Sequence, residues 1–246
     1  MTDAIDLDLR ALVFDVFGTV VDWRSGVIRE VSEFASRHAI TTIDAAAFAD
    51  TWRGHYSPSM EEVRSGRRPF TRLDVLHRES LEKTLAAFDT PVANLPAQAL
   101  TELNLAWHRL DPWPDSVPGL TRLKRRYIIA PLSNGNIRLM LDMAKRAGLP
   151  WDAILGAETA QAYKPAPQAY LRTAEILDLP PEQICMVAAH NSDLAAARLC
   201  GMRTAFIPRP TEHGHQQTKD LVPEQAWDVV ARDMLDLAQK LGCPPE

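Results

Sequence analysis

Cysteine is scarce: Cys185, Cys200 and Cys243 are the three in 246 residues. The number is odd and no C-x-x-C pair occurs, so a disulfide framework is not indicated. A reducing cytoplasm is the expected setting, with the thiols serving as core packing. Long apolar runs are missing too: no stretch approaches the roughly 18 residues that a membrane-spanning helix needs. The first six residues, Met1-Thr2-Asp3-Ala4-Ile5-Asp6, lack the basic-then-apolar plan of a signal peptide. Nor is there an excess of positive charge, since 27 Lys and Arg stand against 32 Asp and Glu for a formal net charge of −5. That balance disfavours a nucleic-acid backbone or an anionic membrane as partner and leaves a small molecule. Repeats and low-complexity tracts are absent. What is present, 46% hydrophobic and 24% charged residues, suffices for one globular domain, with or without an insertion.

Short apolar runs at Ala11–Val16, Tyr127–Leu132, Ala153–Gly156, Ile184–Ala189 and Thr204–Ile207 read as strands buried on both faces of a parallel sheet. Helix-period segments at Ile137–Ala147, Gln168–Leu177, Asp193–Cys200 and Trp227–Leu241 accompany the later ones. The alternation predicts an α/β fold with a doubly wound parallel sheet. Between Asp22 and Pro112 the pattern is helical only, at Val27–Arg37, Ala45–Arg53, Leu73–Ala87 and Gln98–Leu110. Residues 22–112 are therefore expected to form an inserted helical cap over the carboxyl ends of the strands. The core is then 1–21 with 113–246. The proline-rich run Asp111–Gly119 marks the return as a turn cluster.

Chemistry collects where the strands end. Asp15 follows Ala11-Leu12-Val13-Phe14, just before the turn at Gly18 and Thr19. Ser133 and Asn134 close the second strand, where a following helix offers N–H groups to an anion. Tyr163-Lys164-Pro165 precedes another helix, and His190, Asn191, Ser192 and Asp193 close the fourth strand. Parallel strands point one way, so these groups meet at one edge of the sheet, where open α/β folds bind ligands. His213-Gly214-His215 reads as a polar loop for want of a third ligand at metal spacing. Trp107, Trp113 and Trp151 read as packing.

Asp15-x-x-x-Thr19, Ser133-Asn134, Lys164 and Asp193 resemble the four motifs of the haloacid dehalogenase superfamily. Phe17 where phosphatases keep a second aspartate, Tyr170 six residues after Lys164, and Trp52-Arg53 in the insertion resemble its type II L-2-haloacid dehalogenases. The resemblance implies a Rossmann-like core with a cap, a homodimer, and hydrolytic removal of halide from short 2-haloalkanoic acids. A phosphatase or phosphonate hydrolase of the same superfamily is the alternative. On the dehalogenase reading Asp15 is the nucleophile, ionised by Lys164 and aimed by Thr19. Ser133, the backbone after Asp15 at Val16 and Phe17, and Tyr170 receive the substrate carboxylate. Arg53 and Asn134 meet the halide. Asp193, supported by Lys164, activates the water.

No metal and no cofactor are expected. The position that supplies a third magnesium ligand in the phosphatase branch falls at Ala188, and hard cations need several oxygen ligands. Ala188 stands where many type II dehalogenases have serine, His190 where many have asparagine, and Phe17 where tyrosine is usual. His190 then either helps position water or donates to the halide. The resemblance extends to histidine-bearing members active on fluoroacetate.

Overall fold

The polypeptide enters through β1 (Ala11–Phe14), four residues without exposed surface, and reaches β2 (Val21–Asp22) after a tight loop. In the computed structural model, which describes residues 7–90 and 92–245, five helices follow: α1 (Trp23–Arg37), α2 (Ala45–Gly54), α3 (Tyr56–Arg64), α4 (Leu73–Ala87) and α5 (Ala97–Asn104). The chain then resumes alternation with β3 (Asp111–Pro112), α6 (Ser116–Lys124), β4 (Ile128–Ser133), α7 (Ile137–Ala147), β5 (Leu155–Gly156) and α8 (Ala157–Ala160). It ends through α9 (Pro167–Leu177), β6 (Ile184–Ala188), α10 (Asn191–Leu199), β7 (Arg203–Phe206), β8 (Val229–Val230) and α11 (Met234–Lys240). Met1–Asp6, whose acidic character bears on the signal-peptide reading, lie outside the described residues.

Two units divide the chain, one running to Asp22 and resuming at Asp111, the other Trp23–Leu110. The first holds a six-stranded sheet in the order β5-β4-β1-β6-β7-β8, every pair parallel. Leu12 lies opposite Ile129 on one side and Cys185 on the other. With neighbours on both edges and helices on both faces, β1 tolerates only apolar residues. Each fully buried Leu or Val contributes about 1.5–3 kcal/mol relative to exposure. The chain winds outward from β1 in both directions, so the topological switch point lies at its carboxyl end.

The helices follow their local chemistry. In α7 Leu139, Met140 and Met143 face inward while Arg138 and Asp142 pair outside at 2.9 Å, and Gly148 ends it with φ 69°. Helix α9 starts on Pro167, where a missing N–H costs nothing. In the helical unit Asp44 caps α2 by accepting from Ala47 N at 2.7 Å. Its core is aromatic: Trp52 meets Trp107 edge-on at 5.4 Å and His77 stacks on Trp107 at 4.4 Å. Trp52 Nε1 donates to the His77 carbonyl at 3.0 Å. Among the described residues no helix is long and apolar enough to cross a membrane.

Several expected elements differ. The turn cluster at Asp111–Gly119 contains a short antiparallel pairing, Val21 with Pro112, and the start of α6. Pro118 sits in that helix's first turn, where its missing N–H is harmless. The segment read as one helix from Trp227 begins instead as β8. The two β-branched residues extend the sheet edge, with Ala231 N donating to Phe206 O. The last insertion helix breaks at Leu105 into a 3-10 turn, Leu105–His108. Helices α3, α6 and α8 have no counterpart among the helices of the sequence reading.

Candidate active site

Asp15 is the first residue beyond β1, and its N–H still donates to Val187 O at 3.0 Å, as if the strand continued. Its side chain therefore issues from the switch point with the rigidity of the sheet. The following loop doubles back, Val20 N and Val21 N both donating to Val16 O, with Gly18 at φ 89° supplying the turn. This brings Thr19 Oγ1 to 2.8 Å from Asp15 Oδ2. Ala189 N donates to that same Thr19 oxygen at 2.9 Å, which turns the hydroxyl proton toward Asp15. Val16 and Phe17 are buried; the phenylalanine carries no proton to give.

Lys164 Nζ lies 2.9 Å from Asp15 Oδ1 and also bonds Asp193 Oδ2. Its backbone is held by Asn134, whose Oδ1 accepts from Lys164 N at 2.8 Å. Ser133 Oγ accepts from Gly135 N at 3.1 Å, leaving its own proton for a ligand. The Tyr170 hydroxyl, expected to help fix the substrate carboxylate, instead donates to Asp193 Oδ1 at 2.6 Å. It is fully buried on the first turns of α9 with that carboxylate as the acceptor in reach. His190 Nδ1 lies 3.0 Å from Asp15 Oδ2, and its Nε2 lies 2.9 Å from Glu212 Oε2.

Glu212 escaped the sequence reading, as did Arg209, which donates to Thr19 O at 3.0 Å. Both sit beyond the carboxyl end of β7. The strand-end rule that found the other motifs reaches them when applied to that strand as well. Arg53 lies on α2 in the helical unit, its guanidinium 3.8 Å above the Tyr56 ring and 5.2 Å from Trp23. Its Nη1 is buried with no hydrogen-bond partner among the described residues.

The cluster sorts its charges. Burial would raise the Asp15 carboxyl, but the Lys164 charge together with His190 holds it well below the ordinary carboxylate range. Burial also opposes the Lys164 cation, and the two carboxylates overcome it. Asp193 moves the other way, raised by burial and by the charge of Asp15. His190 is carried well above its ordinary value because Glu212 and Asp15 outweigh desolvation. Two carboxylates with environments pushed apart suit different roles, one a permanent anion and the other a proton acceptor. Magnesium does not fit these residues. The Lys164 ammonium stands between Asp15 and Asp193, Ala188 offers no ligand, and no group of three or more His, Cys, Asp or Glu among the described residues is arranged for a metal.

Residues 9–201 match the family model of haloacid dehalogenase-like hydrolases. The chain belongs to that family. Within the haloacid dehalogenase-like hydrolases, it is 28% identical over 239 residues to (S)-2-haloacid dehalogenase 4A of Burkholderia cepacia, covering 94% of this chain and 98% of the relative. The crystal structure of the defluorinating L-2-haloacid dehalogenase Rha0230 superposes with a TM-score of 0.93 at 55% identity, over 95% of each chain. That of the L-2-haloacid dehalogenase PA0810 gives 0.90 at 46%, over 95% of this chain and all of the other. The parallel sheet with its inserted helices is the fold these enzymes share.

Proposed function

We propose that this hydrolase removes halide from short 2-haloalkanoic acids, fluoroacetate included, through a covalent ester on Asp15. The observation that carries the reading is the Asp15 carboxylate itself. Lys164 keeps it ionised on one oxygen, Thr19 steadies the other, and the neighbouring side chain that would serve a phosphatase as acid is Phe17. Such a group is built to attack carbon, not to pass a proton. The similarity to a defluorinating enzyme over nearly the whole chain supports extending the substrates to fluoroacetate.

One Asp15 oxygen displaces the halide with inversion, leaving an ester. Ser133 and the backbone after Asp15 bind the substrate carboxylate. Asn134 donates to the departing halide, and the resemblance gives Arg53 the same role; its buried guanidinium nitrogen has no hydrogen-bond partner among the described residues, a cost that an anion relieves. Water then attacks the ester carbonyl carbon and Asp193, held by Tyr170 and Lys164, takes its proton. The phosphatase alternative lacks both a proton donor at Phe17 and a ligand at Ala188.

A single turnover in heavy-oxygen water, enzyme in excess over chloroacetate, tests this. Unlabelled glycolate with the label in Asp15 is the expected result. Label in the glycolate hydroxyl would mean that water attacks the substrate carbon directly. Fluoride release from fluoroacetate, read with an ion-selective electrode, tests the substrate extension.

A further inference from the structure

The two oxygens of Asp15 are not equivalent. Among the described residues Oδ1 accepts only from Lys164 Nζ, at 2.9 Å. Oδ2 has two neighbours, Thr19 Oγ1 at 2.8 Å and His190 Nδ1 at 3.0 Å. The imidazole lies between carboxylates, because Glu212 Oε2 is 2.9 Å from its other nitrogen. A neutral imidazole has one N–H and one lone pair, so it would serve one carboxylate and repel the other. Only the imidazolium donates to both. Both in-plane lone pairs of Oδ2 are then engaged, while Oδ1 keeps one for carbon.

We propose that Oδ1 is the attacking oxygen, and that Thr19 and His190 form the donor pair that stabilises Oδ2 when the Asp15 ester is hydrolysed, with Glu212 as the positioning residue that holds His190 doubly protonated. The proposal rests on the aspartyl-ester reading and assigns a role to each atom within it. His190 touches the reacting group; Glu212 acts through His190. After displacement Oδ2 is the ester carbonyl oxygen. Water adds to Cγ, giving one proton to Asp193, and the Cγ–Oδ2 π pair moves onto Oδ2, where the Thr19 O–H and His190 N–H stabilise it. The pair then re-forms the carbonyl and the Cγ–Oδ1 bond breaks. Oδ1 leaves as the hydroxyl oxygen of the 2-hydroxy acid, protonated by Lys164, which recovers its proton from Asp193. The second water proton goes to solvent as Asp15 returns to carboxylate.

The fold makes room for this arrangement. Glu212 is 1% exposed, and a Cβ at Gly18 would fall 2.1 Å from its Oε1, so the carboxylate occupies space that only glycine leaves. Beyond Asp15 and Glu212, the charged or titratable groups nearest His190 are Lys164, on the far oxygen of Asp15, and His213, 3.5 Å from Glu212 Oε1. The upward displacement of the His190 value, against burial, agrees with the doubly donating form.

Rapid-quench kinetics on the full chain with chloroacetate separate the two half-reactions: chloride reports displacement, and the mass of the Asp15 peptide reports the ester. In Glu212→Gln and His190→Ala a first equivalent of chloride should still appear. Turnover should then fall about a hundredfold, with ester accumulating on Asp15. Glu212→Asp should restore most of the turnover. Equal slowing of chloride release and ester hydrolysis, or unchanged turnover, overturns the proposal. Should the single variants melt early by circular dichroism, His190→Ala/Glu212→Gln removes both partners of the pair together and is held to the same outcomes. Wild-type protein that releases chloride without ever carrying an ester would sink the function reading itself, a result distinct from any variant's behaviour.

Discussion

Around Asp15 each residue is chosen less for its own chemistry than for what it does to a neighbour. Thr19 is oriented by Ala189 N, Lys164 by Asn134, and Asp193 by Tyr170. Gly18 belongs to this set although it has no side chain. Alanine there would meet the Glu212 carboxylate and would also have to adopt φ 89°. Gly18→Ala is expected to lose about 1–3 kcal/mol in urea denaturation. It should also accumulate the Asp15 ester as Glu212→Gln does, because the displaced carboxylate no longer reaches His190. Wild-type turnover in this variant would mean that the position of Glu212 is immaterial. Asp15, Ser133 and His190 were legible because each stands at or just beyond the end of a recognisable apolar strand, and Lys164 because it precedes a proline-started helix. Glu212 was not, since it lies in a loop where a lone Glu among Pro, Thr and His looks like solvated surface.

Between elements, the loop after β7 ties the site to the rest of its unit. Arg209 grips Asp115 through two bonds of 2.7 and 2.8 Å and reaches Thr19 O, while Asp115 also accepts from Met234 N at the start of α11. The pair is nearly buried, with side-chain exposures of 8% and 13%, so removing one partner strands a charge. Arg209→Met should cost about 3 kcal/mol by urea denaturation, and adding Asp115→Leu should recover most of it. A double variant no more stable than the single one would show that the hydrogen bonds to Thr19 and Met234 matter more than the ion pair. At this scale the long periodic segments, such as Ile137–Ala147 and Leu73–Ala87, were readable to the residue. The edge strand β8 was not: two residues carry no period, and only the neighbouring edge of β7 decides that they pair.

For the whole molecule the buried charges set how stability follows pH. Asp15 ionises well below its ordinary 3.8, so its contribution is present above about pH 4 and is lost as pH falls toward the folded value. Asp193, raised, works the opposite way and favours the folded state when protonated. His190 has a value raised above its ordinary 6.5, so its contribution is complete below that pH and is lost progressively from there until pH has climbed through the folded value. Melting temperature should therefore decline as pH rises above about 6.5, a limb that His190→Asn removes, and should also fall in acid, with a shallower acid limb in Asp15→Asn. A melting temperature that stays flat above pH 6.5, or a decline there that persists unchanged in His190→Asn, would contradict the doubly donating imidazolium.

Sequence alone determined the layer architecture and the strand ends where the candidate site residues gather, because burial of β1 on both faces admits only a continuous apolar run and a polar residue can follow only where the strand leaves the sheet. Tertiary structure alone decided the pairing of side chains. Tyr170 turns to Asp193, and Glu212 reaches His190, because hydrogen bonds between residues 20 to 30 positions apart depend on where strands and helices carry them in space.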